Sequence, residues 1–209
     1  MKYYLFDFDG TLMDSMERWG YTVLKVYEEQ GLKPAEGLLR TLTPLGYVGS
    51  AKLYKDMGAQ SSVEEMVARM QELATYEYAH HVYAKAGVRE ALAKMKQEGA
   101  CLNILTASPH TSVDPCLEHN AMTRLFDNVW TVDDFALTKS QPEIYHAVAE
   151  RLGCRAEDIF FFDDNLIALE TARKAGCKTV GVYDAASAED TPVIKQITDM
   201  YINSFEELL

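Results

Sequence analysis

Five short apolar segments stand out along the chain, each followed by polar residues. Several are apolar without alternation, which is typical of strands buried on both faces of a parallel sheet. Between them, apolar residues recur three or four positions apart, as at Val88, Leu92 and Met95, and this spacing predicts helices. Alternating strands and helices predict an α/β fold built on a doubly wound parallel sheet. The predicted strands are Tyr3 to Phe8, Cys101 to Thr106, Asn128 to Val132, Asp158 to Phe162 and Lys178 to Tyr183.

One long segment interrupts this alternation. From Asp14 to His81 the sequence shows helical periodicity and no convincing strand. Its apolar stripes are Trp19, Val23, Val26 and Tyr27, and then Val63, Met66, Val67, Met70, Leu73 and Ala74. Residues that divide it into short helices are Gly31, Pro34, Gly37, Pro44, Gly46, Gly49 and Gly58. We therefore predict a core domain of residues 1–13 and 84–209, with a helical domain inserted at residues 14–83.

The chain is acidic, and its size suits one core with an inserted module. Its 209 residues include 20 Lys and Arg against 32 Asp and Glu, which gives a net charge of −12. That charge repels nucleic-acid phosphates and anionic membrane surfaces, so we expect neither as a partner. An acidic protein that binds a small phosphate ester must gather local positive charge from a metal ion, a lysine or helix N-termini. No heptad pattern signals association, so we expect a monomer.

The cysteines and the N-terminus favour a cytoplasmic location. Cys101, Cys116, Cys154 and Cys177 are scattered without CxxC spacing, which favours reduced thiols over disulfides or a zinc site. The sequence reaches Asp7 at once, which leaves no room for a secretory signal, and no later apolar run approaches the length of a membrane span.

Polar residues directly after the predicted strands form the candidate site, because the loops at the carboxyl ends of parallel strands gather at one edge. These residues are Asp7, Asp9, Thr106, Ser108, Asp163 and Asp164. Asp7 and Asp9 share a face of an extended backbone, and carboxylates so close repel unless a cation lies between them. A hard cation with oxygen ligands, such as Mg²⁺, removes this conflict. Taken alone, an acidic pair beside Gly10 is equally consistent with a plain turn.

The segment Asp7 to Ser15, DFDGTLMDS, resembles the first motif of the haloacid dehalogenase superfamily. Three further segments resemble its other motifs, in the same order and at strand ends or helix starts. They are Leu105-Thr106-Ala107-Ser108, then Lys139 followed by Pro142-Glu143-Ile144-Tyr145, then Phe160 to Asn165. Taken singly, Thr106 is more often a structural cap and Lys139 a solvated surface residue. Their joint order favours the functional interpretation.

The sequence departs from the superfamily's commoner pattern at three positions. Ser140 stands where a proline is common, Asp163 where a glycine usually precedes the metal-ligand aspartate, and Ala168 where a second acid is usual. A double-aspartate variant of this motif exists in the superfamily, which predicts that Asp163 replaces the missing acid. The alternative is that Asp163 caps the following helix or accepts backbone hydrogen bonds.

The resemblance covers nearly the whole chain and implies a mechanism. Asp7 would be the nucleophile that forms a phosphoaspartyl intermediate, while Asp9 would protonate the leaving oxygen and then activate water. The residues implied for phosphate binding are Thr106, Ala107, Ser108 and Lys139. The implied cofactor is Mg²⁺, with the ligands Asp7, Asp9, Asp163 and Asp164. The inserted helical domain would be a cap that closes over the site.

Asp9 favours a magnesium-dependent phosphatase that acts on a small phosphate monoester. A departing alkoxide needs a proton and a halide does not, so Asp9 argues against a dehalogenase; an acid here also argues against a phosphonate hydrolase. A sugar phosphomutase of the β-phosphoglucomutase type shares every core motif and is the alternative enzyme. A non-catalytic binding protein on the same fold is the alternative of another class. Sugar phosphates, phosphoglycolate and nucleotides are all open as substrates.

Overall fold

The structure is a computed structural model that describes residues 2–33, 35 and 37–209. The chain separates into two compact units. One combines the residues up to Asp14 with Tyr83–Leu209, and the other is Ser15–Val82. The roles of these units as a catalytic core and a cap stay predictions.

The first unit contains a six-stranded parallel sheet. Its strands are β1 (Tyr3–Phe6), β2 (Cys101–Thr106), β3 (Asn128–Thr131), β4 (Ile159–Asp163), β5 (Lys178–Val182) and β6 (Met200–Ile202). Their spatial order is β3-β2-β1-β4-β5-β6, so the chain winds outward from the centre in both directions. The prediction of a doubly wound parallel sheet is confirmed, and β6 is a strand that the sequence pattern did not predict.

The α-helices described in the two units are short to medium in length. In chain order they are α1 (Met16–Glu29), α2 (Leu38–Leu42), α3 (Gly46–Asp56), α4 (Val63–His80), α5 (Val88–Gln97), α6 (His110–His119), α7 (Pro142–Leu152), α8 (Leu166–Lys174) and α9 (Thr191–Ile197). Within the described residues, none is long and apolar enough to cross a membrane. The four cysteines, all of them described, form no disulfide.

Strand β1 occupies the centre of the sheet, where Tyr3 pairs with Cys101 on one side and with Ile159 on the other. Its two faces are buried against different groups. The rings of Phe6 and Phe162 lie 4.8 Å apart on one face. The apolar cluster on the other face includes Leu5, Leu105, Ile144, Phe161 and Leu169. Burial on both faces explains why these strands are apolar without alternation.

Strand β1 ends at Phe6, two residues before the predicted boundary, and a tight turn from Phe8 to Met13 follows it. The carbonyl of Phe8 accepts the backbone N–H groups of Leu12 and Met13, at 3.0 and 2.9 Å. The strand therefore ends directly before Asp7.

The helices that follow the sheet begin at residues suited to helix starts. Pro142 opens α7, where a missing N–H costs nothing. Asn165 caps α8, because its Oδ1 accepts the N–H of Ala168 at 3.1 Å. These two helix starts place the Lys139 loop and the Asp163-Asp164 pair beside the carboxyl ends of the strands.

The regular structure described in the second unit is all helical, as the periodicity predicts. A reciprocal capping box between Ser62 and Glu65 starts α4. The stripes of α1 and α4 pack in one apolar cluster that includes Val26, Tyr27 and Met70. This cluster gives the unit an apolar centre of its own.

Most of the predicted helix breaks in this unit coincide with left-handed glycines. Positive φ angles occur at Gly31, Gly37, Gly46 and Gly58. Pro44 lies in a short 3₁₀ turn, Thr43–Leu45. The prediction at Gly49 is wrong, because this residue lies inside α3, where a Cβ would come within 2.7 Å of the Leu45 Cβ. Pro34 lies outside the described residues.

Candidate active site

The predicted site residues of the first unit follow three adjacent strands. β1, β2 and β4 are neighbours, so Asp7, Thr106 and Asp163 come to the same edge of the sheet. The N–H of Asp7 donates to the carbonyl of Phe162 at 2.8 Å, which ties the start of the loop to β4.

Three carboxylates form a buried cluster at this edge. Asp7, Asp163 and Asp164 each offer an oxygen, and these oxygens lie within 4.8 Å of one another. Burial raises the pKa of Asp7 well above its usual range; Lys139 opposes the rise and neighbouring carboxylates add to it. Burial, together with the charges of Asp163 and Asp184, raises the pKa of Asp164 to about 7. Such crowding of hard oxygen ligands can hold a divalent cation.

Lys139 lies among these acids and contacts two of them. Its Nζ contacts Asp7 Oδ1 at 2.6 Å and donates to Asp163 Oδ2 at 2.8 Å. Burial alone would lower the pKa of Lys139, but the carboxylates of Asp163 and Asp7 outweigh it and raise the pKa above its ordinary value. Lys139 is therefore a buried ammonium paired with two acids, and not the solvated surface lysine of the alternative interpretation.

At position 168, where the superfamily usually has a second acid, the structure shows an apolar environment. Ala168 is buried in the apolar cluster beneath the site, so no carboxylate occupies that position. Asp163 is entirely buried and uses both of its oxygens: Oδ2 accepts from Lys139, and Oδ1 accepts the N–H of Asn165 at 2.7 Å. Asp163 thus combines a lysine contact with a backbone contact, which are features of both predicted interpretations.

The loop that follows Asp7 packs directly on Asp164. Gly10 has a φ of +74°, and a Cβ built on it would lie 2.9 Å from both Asp164 carboxylate oxygens. The next residue, Thr11, donates its hydroxyl to Asp164 Oδ1 at 3.2 Å. A glycine is therefore required by both the backbone angle and the close approach of Asp164.

Asp9 lies apart from the three-carboxylate cluster and contacts the β2 loop instead. Ser108 Oγ donates to Asp9 Oδ2 at 2.6 Å, and the Ser108 N–H donates to Thr106 Oγ1 at 3.0 Å. Thr106 is buried and Ala107 is exposed. Of the four predicted metal ligands, the structure groups three, and it places the predicted phosphate-binding residue Ser108 against the predicted acid–base residue.

The comparison with protein families decides the class. The model of the family described as haloacid dehalogenase-like hydrolase matches residues 4–182. The chain belongs to this family. The predictions of the superfamily and of a hydrolase enzyme are therefore confirmed.

Curated relatives of this haloacid dehalogenase-like hydrolase include several phosphatases. A phosphoglycolate phosphatase from Pectobacterium atrosepticum is 28% identical over 213 residues, which cover 98% of this chain and 89% of the relative. A phosphorylated carbohydrates phosphatase from Thermotoga maritima is 28% identical over 181 residues, which cover 86% of this chain and 84% of the relative. These phosphatases match this chain over most of its length, so the prediction of a phosphatase-type enzyme is confirmed.

Solved structures of the family share the whole fold. A candidate β-phosphoglucomutase from Thermotoga maritima has a TM-score of 0.80 and 25% identity, and the match covers 100% of this chain and 97% of that one. CbbY from Rhodobacter sphaeroides, solved with phosphate, has a TM-score of 0.84 and 20% identity, and covers 100% and 96%.

The contacts of two further residues at the site of this hydrolase were not predicted from the sequence. The Tyr145 hydroxyl shares its single hydrogen between the carbonyls of Lys139 at 3.0 Å and Ala168 at 3.1 Å, so it ties the lysine loop to α8. A hydroxyl in the otherwise apolar stripe of α7 was the available signal. Lys85 contacts the Gly10 carbonyl at 2.7 Å, and no motif in the sequence around it indicates this.

Proposed function

We propose that this chain is a magnesium-dependent phosphatase that hydrolyses a small phosphate monoester through a phosphoaspartyl intermediate on Asp7. The observation that carries the proposal is the contact of Asp7 with Lys139 inside a buried group of three carboxylates. An anionic nucleophile with a fixed cation beside it suits attack on a phosphoryl group, whose charge must be neutralised during transfer.

The residues present fit a magnesium ion. Asp7, Asp163 and Asp164 would hold it, because three buried carboxylates with one lysine leave an excess of negative charge. The ion would supply further neutralisation of the phosphoryl oxygens. Asp9 was also predicted as a ligand, and we propose for it the acid–base role alone.

The protein's own residues divide the remaining work. Asp7 attacks phosphorus in line, and the alkoxide of the ester departs as the new P–O bond forms. Lys139 and the Thr106 hydroxyl bind oxygens of the transferring group. Asp9 gives its proton to the departing oxygen and then takes one from the water that cleaves the aspartyl phosphate. The Ser108 hydroxyl, which donates to Asp9 Oδ2, orients that carboxyl group for the proton transfer.

The substrate class follows from the relatives and the charge. Phosphoglycolate phosphatases and a phosphorylated carbohydrates phosphatase support a small phosphorylated metabolite as the substrate. A net charge of −12 supports the absence of nucleic-acid and membrane partners. We retain a cytoplasmic monomer as part of the proposal.

A sugar phosphomutase is the second candidate, and the structural likeness to the candidate β-phosphoglucomutase favours it. The two activities differ in the acceptor, because a mutase returns the phosphoryl group to a sugar and a phosphatase gives it to water. Release of inorganic phosphate, compared with interconversion of sugar phosphate isomers, separates them.

The proposal is tested by hydrolysis of para-nitrophenyl phosphate. We expect turnover in the presence of Mg²⁺, its loss with a chelator, and its recovery when Mg²⁺ is restored. A screen of phosphorylated metabolites for phosphate release then identifies the substrate. Absence of phosphate release from every ester at saturating Mg²⁺ would overturn the proposal.

The acid–base role of Asp9 predicts a dependence on the leaving group. In Asp9→Asn, kcat/KM for an alkyl phosphate, which reports the step up to departure of the leaving group, should fall by about 10² to 10⁴-fold, because the alkoxide no longer receives a proton. The loss on para-nitrophenyl phosphate should be much smaller, since that leaving group is stable as an anion. Asp133→Asn, which changes an exposed acid just after β3, is the matched control. Equal losses on both substrates would contradict the acid role.

A further inference from the structure

Lys85 lies just after the point where the chain re-enters the first unit, and its side chain is only 18% exposed. Its ammonium has three contacts. It donates to the carbonyls of Gly10 at 2.7 Å and Tyr183 at 2.6 Å, and to Asp184 Oδ2 at 3.0 Å. An ammonium has three N–H donors, so these acceptors use all of them.

The acceptors belong to two separate loops at the same edge of the sheet. Gly10 is in the loop that follows β1, while Tyr183 and Asp184 follow β5. The backbone of Lys85 joins the same structure, because its N–H donates to the Leu12 carbonyl at 2.9 Å. Lys85 therefore holds the loop after β1 at two carbonyls, those of Gly10 and Leu12, and its ammonium joins that loop to the residues after β5.

Gly10 transmits any displacement of this loop to the reacting groups. It follows Asp9 directly in the chain, and its α-carbon packs so closely on Asp164 that a Cβ would lie 2.9 Å from the carboxylate. A shift of the Gly10 carbonyl would therefore move Asp9 and break the packing on Asp164 together. Displacements of about 1 Å at a reacting group can cost about 100-fold in rate.

We propose that Lys85 is a positioning residue for the proposed phosphoryl transfer: its ammonium fixes the Gly10 carbonyl, and thereby Asp9 and Asp164, against the end of β5. Asp184 is the counterion that keeps this ammonium in place. Its side chain is 7% exposed, and its Oδ1 accepts the N–H of Ala186 at 2.8 Å, so it is itself fixed. The inference rests on the proposed function for its kinetic effect and on the fold alone for its effect on the loop.

The variant Lys85→Met keeps most of the side-chain length and removes the three donors. Relative to wild type, kcat on para-nitrophenyl phosphate should fall by about tenfold or more, with KM changed by less than about threefold, because the loss is in placement of reacting groups. Lys94→Met is the matched control. This exposed lysine also donates to backbone carbonyls, but its acceptors are Leu208 and Leu209 and not the loops after β1 and β5. Its kcat should stay at the wild-type value.

A double variant separates placement from stability. Lys85→Met leaves the buried Asp184 carboxylate without its cation and should lower Tm, and adding Asp184→Asn should restore Tm because the unpaired charge is gone. Under the proposal kcat stays low in the double variant, since the Gly10 carbonyl is still without its donor. Recovery of kcat together with Tm would assign Lys85 a purely structural role and overturn the proposal.

Amide hydrogen exchange gives a measurement that needs no activity. The N–H groups of Gly10, Leu12 and Met13 are bonded within the loop. They should exchange faster in Lys85→Met and in the double variant than in wild type, while the amides of α7 keep their wild-type rates. If exchange in the loop is unchanged in the variants, the proposal for Lys85 is rejected, whether or not the wild-type enzyme hydrolyses an ester. If the loop of the variants exchanges faster but the wild-type enzyme hydrolyses no ester, only the proposed function is rejected.

Discussion

Asp7→Asn should abolish turnover and leave the fold intact. An amide is nearly isosteric with the carboxylate and cannot accept the phosphoryl group, so we expect kcat to fall by at least about 10³-fold. The thermal stability of the metal-free protein should not fall. The pKa of Asp7 is raised in the folded state, so the folded protein holds this proton more tightly than the unfolded chain does. The free energy of unfolding therefore falls as pH rises from the usual carboxyl pKa toward the folded pKa, and Asp7→Asn removes this loss.

Two measurements check this result. Steady-state hydrolysis gives kcat, with Asp133→Asn as the control for an equivalent change at an exposed acid. An acid quench with a radiolabelled substrate should leave phosphate on the wild-type peptide that contains Asp7, and none on the variant. Turnover by Asp7→Asn near the wild-type rate would remove Asp7 as the nucleophile.

Asp164→Asn and Asp163→Asn should form a graded pair in magnesium affinity. Asp164 accepts the Thr11 hydroxyl, packs on Gly10 and belongs to the group of three buried carboxylates, so its replacement should remove detectable binding. Asp163 is bonded to Lys139 and to the Asn165 N–H, and its replacement should weaken binding by about 10 to 100-fold.

Calorimetric titration with magnesium chloride measures both affinities without activity. Asp133→Asn should bind like wild type. Since the pKa of Asp164 in the metal-free protein is about 7, the ion must displace a proton below that pH, and wild-type affinity should weaken there. An unshifted midpoint in Asp163→Asn would mean that Asp163 does not compensate for Ala168, and retained affinity in Asp164→Asn would remove Asp164 from the ligand set.

The central strands could be predicted because burial on both faces leaves a strong apolar signal. β6 could not, since Met200–Ile202 is three residues long, lies at the edge of the sheet and buries only Ile202. The early end of β1 depends on a turn that closes at Met13, several residues beyond the apolar run. A strand of three residues is too short to show a periodic pattern, and the end of β1 depends on contacts between residues that the apolar run does not include.

The candidate site shows the same division. Motif order predicted which strand ends carry Asp7, Thr106 and Asp164, because parallel topology brings those ends together. It could not predict that Ser108 donates to Asp9, since that contact depends on how two loops fold toward each other. Lys85 was missed because its partners, Gly10 and Asp184, are far from it along the chain and nothing local distinguishes it from a surface lysine.

The central position of β1 has a consequence for synthesis of the protein. Tyr3–Phe6 is made before its partners β2 and β4, which end at Thr106 and Asp163. At about 5 to 20 residues per second, a ribosome needs roughly 8 to 30 s to reach the end of β4. Until β4 is complete the strand is an apolar segment with at least one open edge, the type of nascent chain that chaperones shield. The strand that leads to the proposed nucleophile is thus synthesised before both of its partners, and it can be paired on both sides only after β4 is complete.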